Sequence, residues 1–402
     1  MTRPRLSKRL LQLAGGVVVL IGSVLSLWLA IHVFPGAGPW LANGLRSVIG
    51  SDAVTWLEEA SADLEDGARR LFGSRRRSRT LEQAEPAQVQ PDRRGTEPKP
   101  AALLAPQEPR FAPIDVGPLE RRVAAAGDGQ WRAVTDPARP EADPLLFATL
   151  LHPDAKRPWA EVFVVVMPVE RVRVHAVAGT IEPEATTAAG LEAVRSGLVP
   201  RTQRGALLAA FNGGFMTRHG QHGMYVDGVT LVSPKRHLCT FWGMRDGSLE
   251  IGTWRKLVER VERAEAAQQL LFWRQAAPCM YEQGRLNAAL RDEDVKNWGA
   301  TLDGSVVIRR SAVGLDASRQ LLFVGVSNDT TARAIADAMH HAGASDVAQL
   351  DVNWSYPKFL VFPRGPDGQR RALGLFSGFV FRPDDYLTRA STRDFFYVVR
   401  RD

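Results

Sequence analysis

The residues best suited to chemistry in this 402-residue chain begin at Asn212-Gly213-Gly214. An apolar run, Ala206-Leu207-Leu208-Ala209-Ala210-Phe211, reads as a buried strand and stops at an amide and two glycines. Without Cβ atoms, those glycines let a ligand or another segment approach the main chain closely. A second motif, Gly223-Met224-Tyr225-Val226-Asp227-Gly228, predicts a strand, a tight turn at Asp227-Gly228 and a return strand. Between the two lie Arg218, His219, Gln221 and His222, a polar loop able to contact an anion. Asn212 can bind a ligand hydroxyl or pin the glycine turn, and Asp227 can serve a ligand or only its own turn.

Two later segments extend the pattern. Arg310-Ser311-Ala312-Val313-Gly314 reads as one strand and Leu321-Leu322-Phe323-Val324-Gly325-Val326 as the next. A helix with Ala332, Ile335, Ala336 and Met339 on one face then leads to Ala348-Gln349-Leu350-Asp351. In order and spacing these motifs resemble the phosphodiester glycosidase family, over about residues 145–382. The resemblance implies an α+β domain that hydrolyses or remodels sugar-1-phosphodiester linkages in envelope or extracellular polysaccharide. The implied partner is a phosphorylated glycan, with no cofactor and no metal. It implies Asp351 and Arg310 as the catalytic residues, Asp351 facing the sugar carbon and Arg310 facing the phosphate. Asn212, Gly213, Gly214, Asp227, Asp329, Ser355, Arg218 and His222 are the candidates for substrate binding.

The chemistry asks for such a mixture. Glycoside cleavage passes through an oxocarbenium-like transition state and ordinarily needs a protonated acid for the leaving alcohol. A phosphate monoester leaves more easily, so what remains necessary is a carboxylate near the anomeric centre and cationic or N–H donors around the phosphate. Each residue also has a plain structural reading. Asp351 can cap a turn, Arg310 can belong to a structural ion pair, and Trp298 and Trp354 can be core rather than a sugar platform. Ser355 has no His-Asp relay in its spacing and is not a nucleophile candidate. Lys235, Arg236 and His237 can contact an anion or simply solvate a loop. Val352, Asn353 and Trp354 stand where the family has three glycines, and Ser327-Asn328-Asp329 stands where many relatives have Asp-Gly-Arg. Asp329 is the acid available to compensate. These departures keep a second reading open, a catalytically inactive glycan-binding or envelope-assembly protein on the same fold.

The elements that must position these residues are mostly strands, at about 145–151, 161–167, 172–177, 237–244, 249–254, 306–310, 321–326, 347–351, 359–362 and 375–381. Helices are expected within 182–199 and 257–274 as well as around Ile335. Many strands in mixed order with few helices predict α+β, a strand-rich mixed sheet domain.

Outside this domain the composition changes. No Lys, Arg, Asp or Glu occurs between Arg9 and Arg46, and residues 13–34 are long and apolar enough to span a bilayer. Arg3, Arg5, Lys8 and Arg9 precede that stretch, which predicts a single transmembrane helix with the N-terminus inside. A cleaved signal peptide is the competing reading. The organisation expected is a cytoplasmic tip and anchor at 1–34, amphipathic juxtamembrane helices at 35–73, a disordered linker at 74–113 and the catalytic-type domain at 114–402. The protein is then a single-pass cell-membrane protein with its main domain extracytoplasmic, in the periplasm.

The net charge of +7 sits largely in the clusters Arg3–Arg9 and Arg75–Arg79, without the interleaved aromatics that stack bases, so no nucleic-acid partner is expected. Cys239 and Cys279, an even pair, can form a disulfide in an oxidising compartment or remain two buried thiols.

Overall fold

A computed structural model describes residues 111–136, 142–261, 269–291, 296–299, 307–353, 355–365 and 367–401. The expected anchor, the amphipathic stretch and the linker up to residue 110 lie outside the described residues, as does Trp354. Among the described residues, no helix is long and apolar enough to cross a membrane.

Strands dominate. In chain order they are β1 (Arg132–Ala133), β2 (Phe147–Leu151), β3 (Val162–Pro168), β4 (Val172–Val177), β5 (Leu207–Asn212) and β6 (Met224–Val226). They continue as β7 (Val229–Val232), β8 (Cys239–Met244), β9 (Leu249–Thr253), β10 (Leu270–Ala276), β11 (Tyr281–Glu282) and β12 (Arg285–Leu286). The last are β13 (Ile308–Leu315), β14 (Leu321–Thr330), β15 (Asp346–Val352), β16 (Phe359–Val361), β17 (Leu373–Gly374) and β18 (Phe395–Arg400). Among the described residues three α-helices join them: α1 (Ala188–Glu192), α2 (Trp254–Val261) and α3 (Ala332–His341).

Among the described residues the strands form three sheets, ordered β1-β2-β3-β14-β13-β15-β11-β12, β7-β6-β10-β8-β9 and β17-β16-β5-β18-β4. All the strand pairs are antiparallel. One core lies where the three sheets meet: Val313, Val324 and Ala348 of the large sheet join Phe241 and Phe272 of the second and Phe211, Phe359 and Phe396 of the third. The opposite face of the large sheet is covered by α3, through Ile335, Ala336 and Met339 against Ala312, Phe323 and Val347. That helix starts where Thr331 accepts a hydrogen bond from the Ala334 N–H (3.0 Å), a side-chain cap for an orphan donor. It lies close to the sheet: a Cβ on Gly325 would come within 2.5 Å of the Met339 sulfur. The central strands are therefore buried on both faces, which explains their continuous apolar runs.

The α+β, mostly β, architecture matches the sequence expectation, but three element expectations are corrected. Helix in 182–199 is confined to α1, five residues long and capped by Thr187. Residues 257–274 do not form one helix: α2 begins earlier, at Trp254, and Leu270 onward is β10 in the second sheet. The expected strand at 375–381 is absent; β17 is Leu373–Gly374, and Leu375, Phe376 and Phe379 instead enter the central core. In 182–199 Leu191 and Val194 stay exposed, so no apolar face extends the helix, whereas Leu270–Ala276, Leu375, Phe376 and Phe379 gain their burial from the sheets. The terminal strand β18 pairs with both β5 and β4.

Candidate functional site

The end of β5 is the hub. Asn212 and Gly213 lie between the third sheet and the large one, and their polar atoms bond in both directions. Toward β18, the Gly213 N–H donates to the Asp394 carbonyl (2.9 Å) and the Gly214 N–H donates to the Asp394 carboxylate (3.0 Å). Toward β15, the Gly213 carbonyl accepts from the Asp351 N–H (3.1 Å). The Asn212 amide donates to Ser311 Oγ (2.8 Å) and to the Gly213 carbonyl (3.0 Å), and its oxygen accepts from the Lys358 N–H (3.1 Å). Ser311 in turn donates to the Asp351 carbonyl (3.1 Å). Asn212 is fully buried and occupied in this way, so the structure gives it the turn-pinning role rather than an exposed ligand contact. Gly213 must lack a side chain here, because a Cβ would overlap the Asp394 carboxylate.

Asp351 reaches this junction through an irregularity in its strand. Between the pairs Ala312↔Gln349 and Arg310↔Val352, two steps along β13 match three along β15. The extra residue is a β-bulge, which bends the strand and re-aims a side chain. Strict alternation would hold Asp351 to the face of Val347 and Gln349; instead its carboxylate meets Arg393, with Nη2 to Oδ2 at 2.6 Å. Asn353 also donates to Oδ2 (2.7 Å). Asn353 does more than occupy a position where the family has glycine, since its oxygen accepts the N–H groups of Ser355 (3.0 Å) and Tyr356 (2.7 Å) and builds the turn. Ser355 is thus a turn residue, with its N–H held by Asn353.

The electrostatics distinguish the carboxylates. Burial raises the Asp351 pKa to about 6, with Arg393 opposing the shift and Asp394 adding to it. Asp394 is enclosed by donors: Arg274 Nε at 2.8 Å, the Gly214 N–H, and the Tyr356 hydroxyl on its carbonyl. Arg274 is itself buried and completes its bonds on the carbonyls of Phe215 (2.6 Å) and His222 (2.9 Å). Arg393 lies over the Tyr356 ring (4.2 Å) and keeps 14% of its side chain exposed, the most accessible charge of the group.

The other sequence candidates are distributed around this centre. Arg310 faces away from it, on the α3 side of the large sheet. Its guanidinium donates to the carbonyls of Thr330 (3.1 Å), Trp298 (2.6 Å) and Gly299 (2.9 Å) and to the Gln349 side chain (3.0 Å). Burial lowers its pKa, but a guanidinium stays charged, and carbonyl dipoles stabilise that charge. Trp298 is fully buried, with its indole N–H on Pro278 (2.7 Å), and serves as core. His222 is joined to the site through Arg274 and stacks near Phe215 (5.2 Å between rings). Burial, then Arg274 and Lys235, depress its pKa to about 3, so the ring is neutral near pH 7. Arg218 is exposed, its Nε 3.2 Å from His219 Nε2. Asp227 and Gly228, at φ 52° and 82°, form the β6–β7 hairpin turn. Asp329 is half-buried at the end of β14 and acts electrostatically on Arg309.

Arg393, Asp394, Arg274 and Tyr356 were not singled out from the sequence. A signal was present for two of them. Arg274 is the one charge in the run Leu270-Leu271-Phe272-Trp273-Arg274-Gln275-Ala276, and a charge in a buried strand demands a partner. Asp394 immediately precedes the continuously apolar run Phe395-Phe396-Tyr397-Val398-Val399, a charge at the start of a buried strand, beyond the region of resemblance.

No family model and no curated protein matches the chain. Among solved structures, it has a distant similarity to the zebrafish N-acetylglucosamine-1-phosphodiester alpha-N-acetylglucosaminidase catalytic domain auto-inhibited by its pro-peptide. The identity is 14% and the TM-score 0.41, over 68% of this chain and 88% of that one. A hypothetical protein from Synechocystis is similar at 12% identity and TM-score 0.35, over 64% of this chain and 62% of its own. A putative exported protein from Burkholderia pseudomallei follows at 10% and 0.29, over 60% and 74%.

Proposed function

We propose that this protein hydrolyses sugar-1-phosphodiester linkages of an envelope or extracellular glycan, with Asp351 as the catalytic carboxylate. The observation that carries this reading is the bulge-directed Asp351 carboxylate, raised to a pKa of about 6 and held by Arg393 at the Asn212-Gly213-Gly214 junction. A buried, perturbed carboxylate with a cationic partner is the signature of a group poised for proton transfer near neutral pH. In the reaction, the bond between the anomeric carbon and the phosphate oxygen breaks and its electrons stay on the departing phosphate monoester. Water supplies the new oxygen on the sugar carbon and gives its proton to Asp351. Arg393 and Asn353 position the carboxylate, while Asp394 and Arg274 hold the Gly213-Gly214 backbone against it.

A non-catalytic glycan-binding role on the same fold is the alternative, favoured by the near-complete burial of Asp351, which is 1% exposed. Aryl and alkyl sugar-1-phosphodiesters offered to the full-length protein separate the two. The hydrolase reading expects release of phosphate monoester, with kcat rising as pH climbs through about 6, because the ionised carboxylate is the active form. Asp351→Asn should lower kcat by about a hundred- to ten-thousand-fold. Turnover unchanged in that variant eliminates the mechanism; glycan binding without any turnover supports the alternative.

The localisation we infer is extracytoplasmic, in a single-pass anchored protein, supported by the charge asymmetry around residues 13–34 and by a Cys239–Cys279 disulfide in the domain.

A further inference from the structure

The tandem Arg309-Arg310 divides its side chains between the two faces of β13, and Arg309 is the one turned toward the site. It shares with Ser311 the face opposite α3, and two residues along a strand span about 7 Å. Ser311 bonds Asn212 and the Asp351 carbonyl, so Arg309 stands next to the junction. Its environment is unusual for a buried guanidinium. The residue is 7% exposed, yet only Nη2 has an acceptor, the Gly378 carbonyl at 2.7 Å. Nε and Nη1 are buried without a hydrogen-bond partner. The ring of Phe379 lies 5.0 Å from Cζ, and the half-buried Asp329 carboxylate acts on the guanidinium electrostatically.

Two neighbours sharpen the picture. Lys358 directly follows the site turn, and its main chain bonds Asn212. Burial lowers the Lys358 pKa, Asp385 opposes this, and Arg309 is among the cations that add to the lowering, so the two positive groups act on one another. The second is Asn328, opposite Arg309 on β14, where two steps of β13 match three of β14. Asn328 donates to the Ser377 carbonyl (3.3 Å), next to the Gly378 that Arg309 bonds. The unfilled Arg309 donors, with the Lys358 ammonium nearby on its Asp385 partner (3.3 Å), form a cradle for an oxyanion.

We propose that Arg309, assisted by Lys358, is the subsite for the phosphate oxygens of the substrate, the role that its neighbour Arg310 cannot fill from the other face. The identity of the anion as a substrate phosphate rests on the hydrolase reading; the anion site itself does not. A buried guanidinium with unfilled donors is costly in the free protein and becomes favourable once an oxyanion completes it.

Titration calorimetry of the full-length protein with inorganic phosphate, at fixed ionic strength, tests this. Wild type and Asp351→Asn should bind phosphate with similar affinity. Arg309→Met should bind at least about tenfold more weakly, the effect of losing charge-assisted hydrogen bonds. Its Tm without phosphate should equal or exceed that of wild type, since the unfilled donors are gone. Should Arg309→Met fail to fold, Arg309→Lys serves instead, keeping the charge, losing the planar donors and weakening phosphate binding. Absence of phosphate binding by wild type, or unchanged affinity in the folded Arg309 variant, overturns the subsite. Hydrolysis with unaltered KM in Arg309→Met likewise overturns it while leaving the hydrolase standing. Phosphate binding lost in Arg309→Met, with no hydrolysis by wild type, upholds the anion site and removes the hydrolase.

Discussion

Asp351 and Asp394 show how neighbouring carboxylates are assigned different work by their donors. Asp394 is closed in by Arg274, the Gly214 N–H and the surrounding strands, which makes it a structural anion. Asp351 has an arginine that still reaches solvent and a pKa raised by burial. The Arg274–Asp394 pair has side chains only 1% and 2% exposed, at 2.8 Å. Removing one member of such a pair leaves an uncompensated buried charge, at about 3–5 kcal/mol. Asp394→Asn should therefore lower stability by that order, measured by urea unfolding. Arg274→Met combined with it should cost less than the sum of the two single changes. An Asp394→Asn protein as stable as wild type would falsify the structural assignment. At this scale the sequence singled out Asp351 because of its motif, but not its partners, since nothing local links residue 351 to residue 393.

The elements carry the site by where they end. β5 and β18 run side by side and bring Gly213 to Asp394, while β15 brings Asp351 to the same glycine. The bulge in β15 then decides the face on which the carboxylate appears. Gly213 is where three elements converge, so it tests the arrangement directly. A methyl group there must displace the Asp394 carboxylate or its main chain. Gly213→Ala is expected to destabilise by about 1–3 kcal/mol, the range for overpacking, and to reduce turnover beyond what stability explains. Normal activity in a folded Gly213→Ala protein would mean that the junction is not the site. Elements with continuous apolar runs, such as β3 and β14, were legible in the sequence. The segments around 182–199, 257–274 and 375–381 were not, because Leu191 and Val194 are left exposed, Leu270 onward joins a sheet as β10, and Leu375, Phe376 and Phe379 enter the core without a strand.

For the whole molecule, the Cys239–Cys279 disulfide is the most consequential cross-link. It closes a 40-residue span, joining the start of β8 to the segment just past β10. Loop-closure arguments place its contribution at about 2–4 kcal/mol. Reduction should lower Tm accordingly, and in cells the pair should resist alkylation until a reductant is added. Quantitative alkylation of both thiols in untreated cells would place the domain in a reducing compartment and defeat the proposed export.

What the sequence determined by itself is local and periodic: continuously apolar central strands, the Asp227-Gly228 hairpin, the apolar face of α3, and a motif order that resembles one family. Each rests on interactions within a few residues, where pattern and backbone preference suffice. The tertiary structure alone decided the pairings. It joined the cysteines, put Asp394 beside Gly214 across 180 residues, and turned Asp351 through a bulge. It also sent Arg310 to the carbonyls of Trp298 and Gly299 and Arg309 to the opposite face. The physical reason is that a buried charge or carbonyl must find a partner wherever the chain happens to pass. Which strands pass one another is set by the burial of all three sheets together, not by any short segment of sequence.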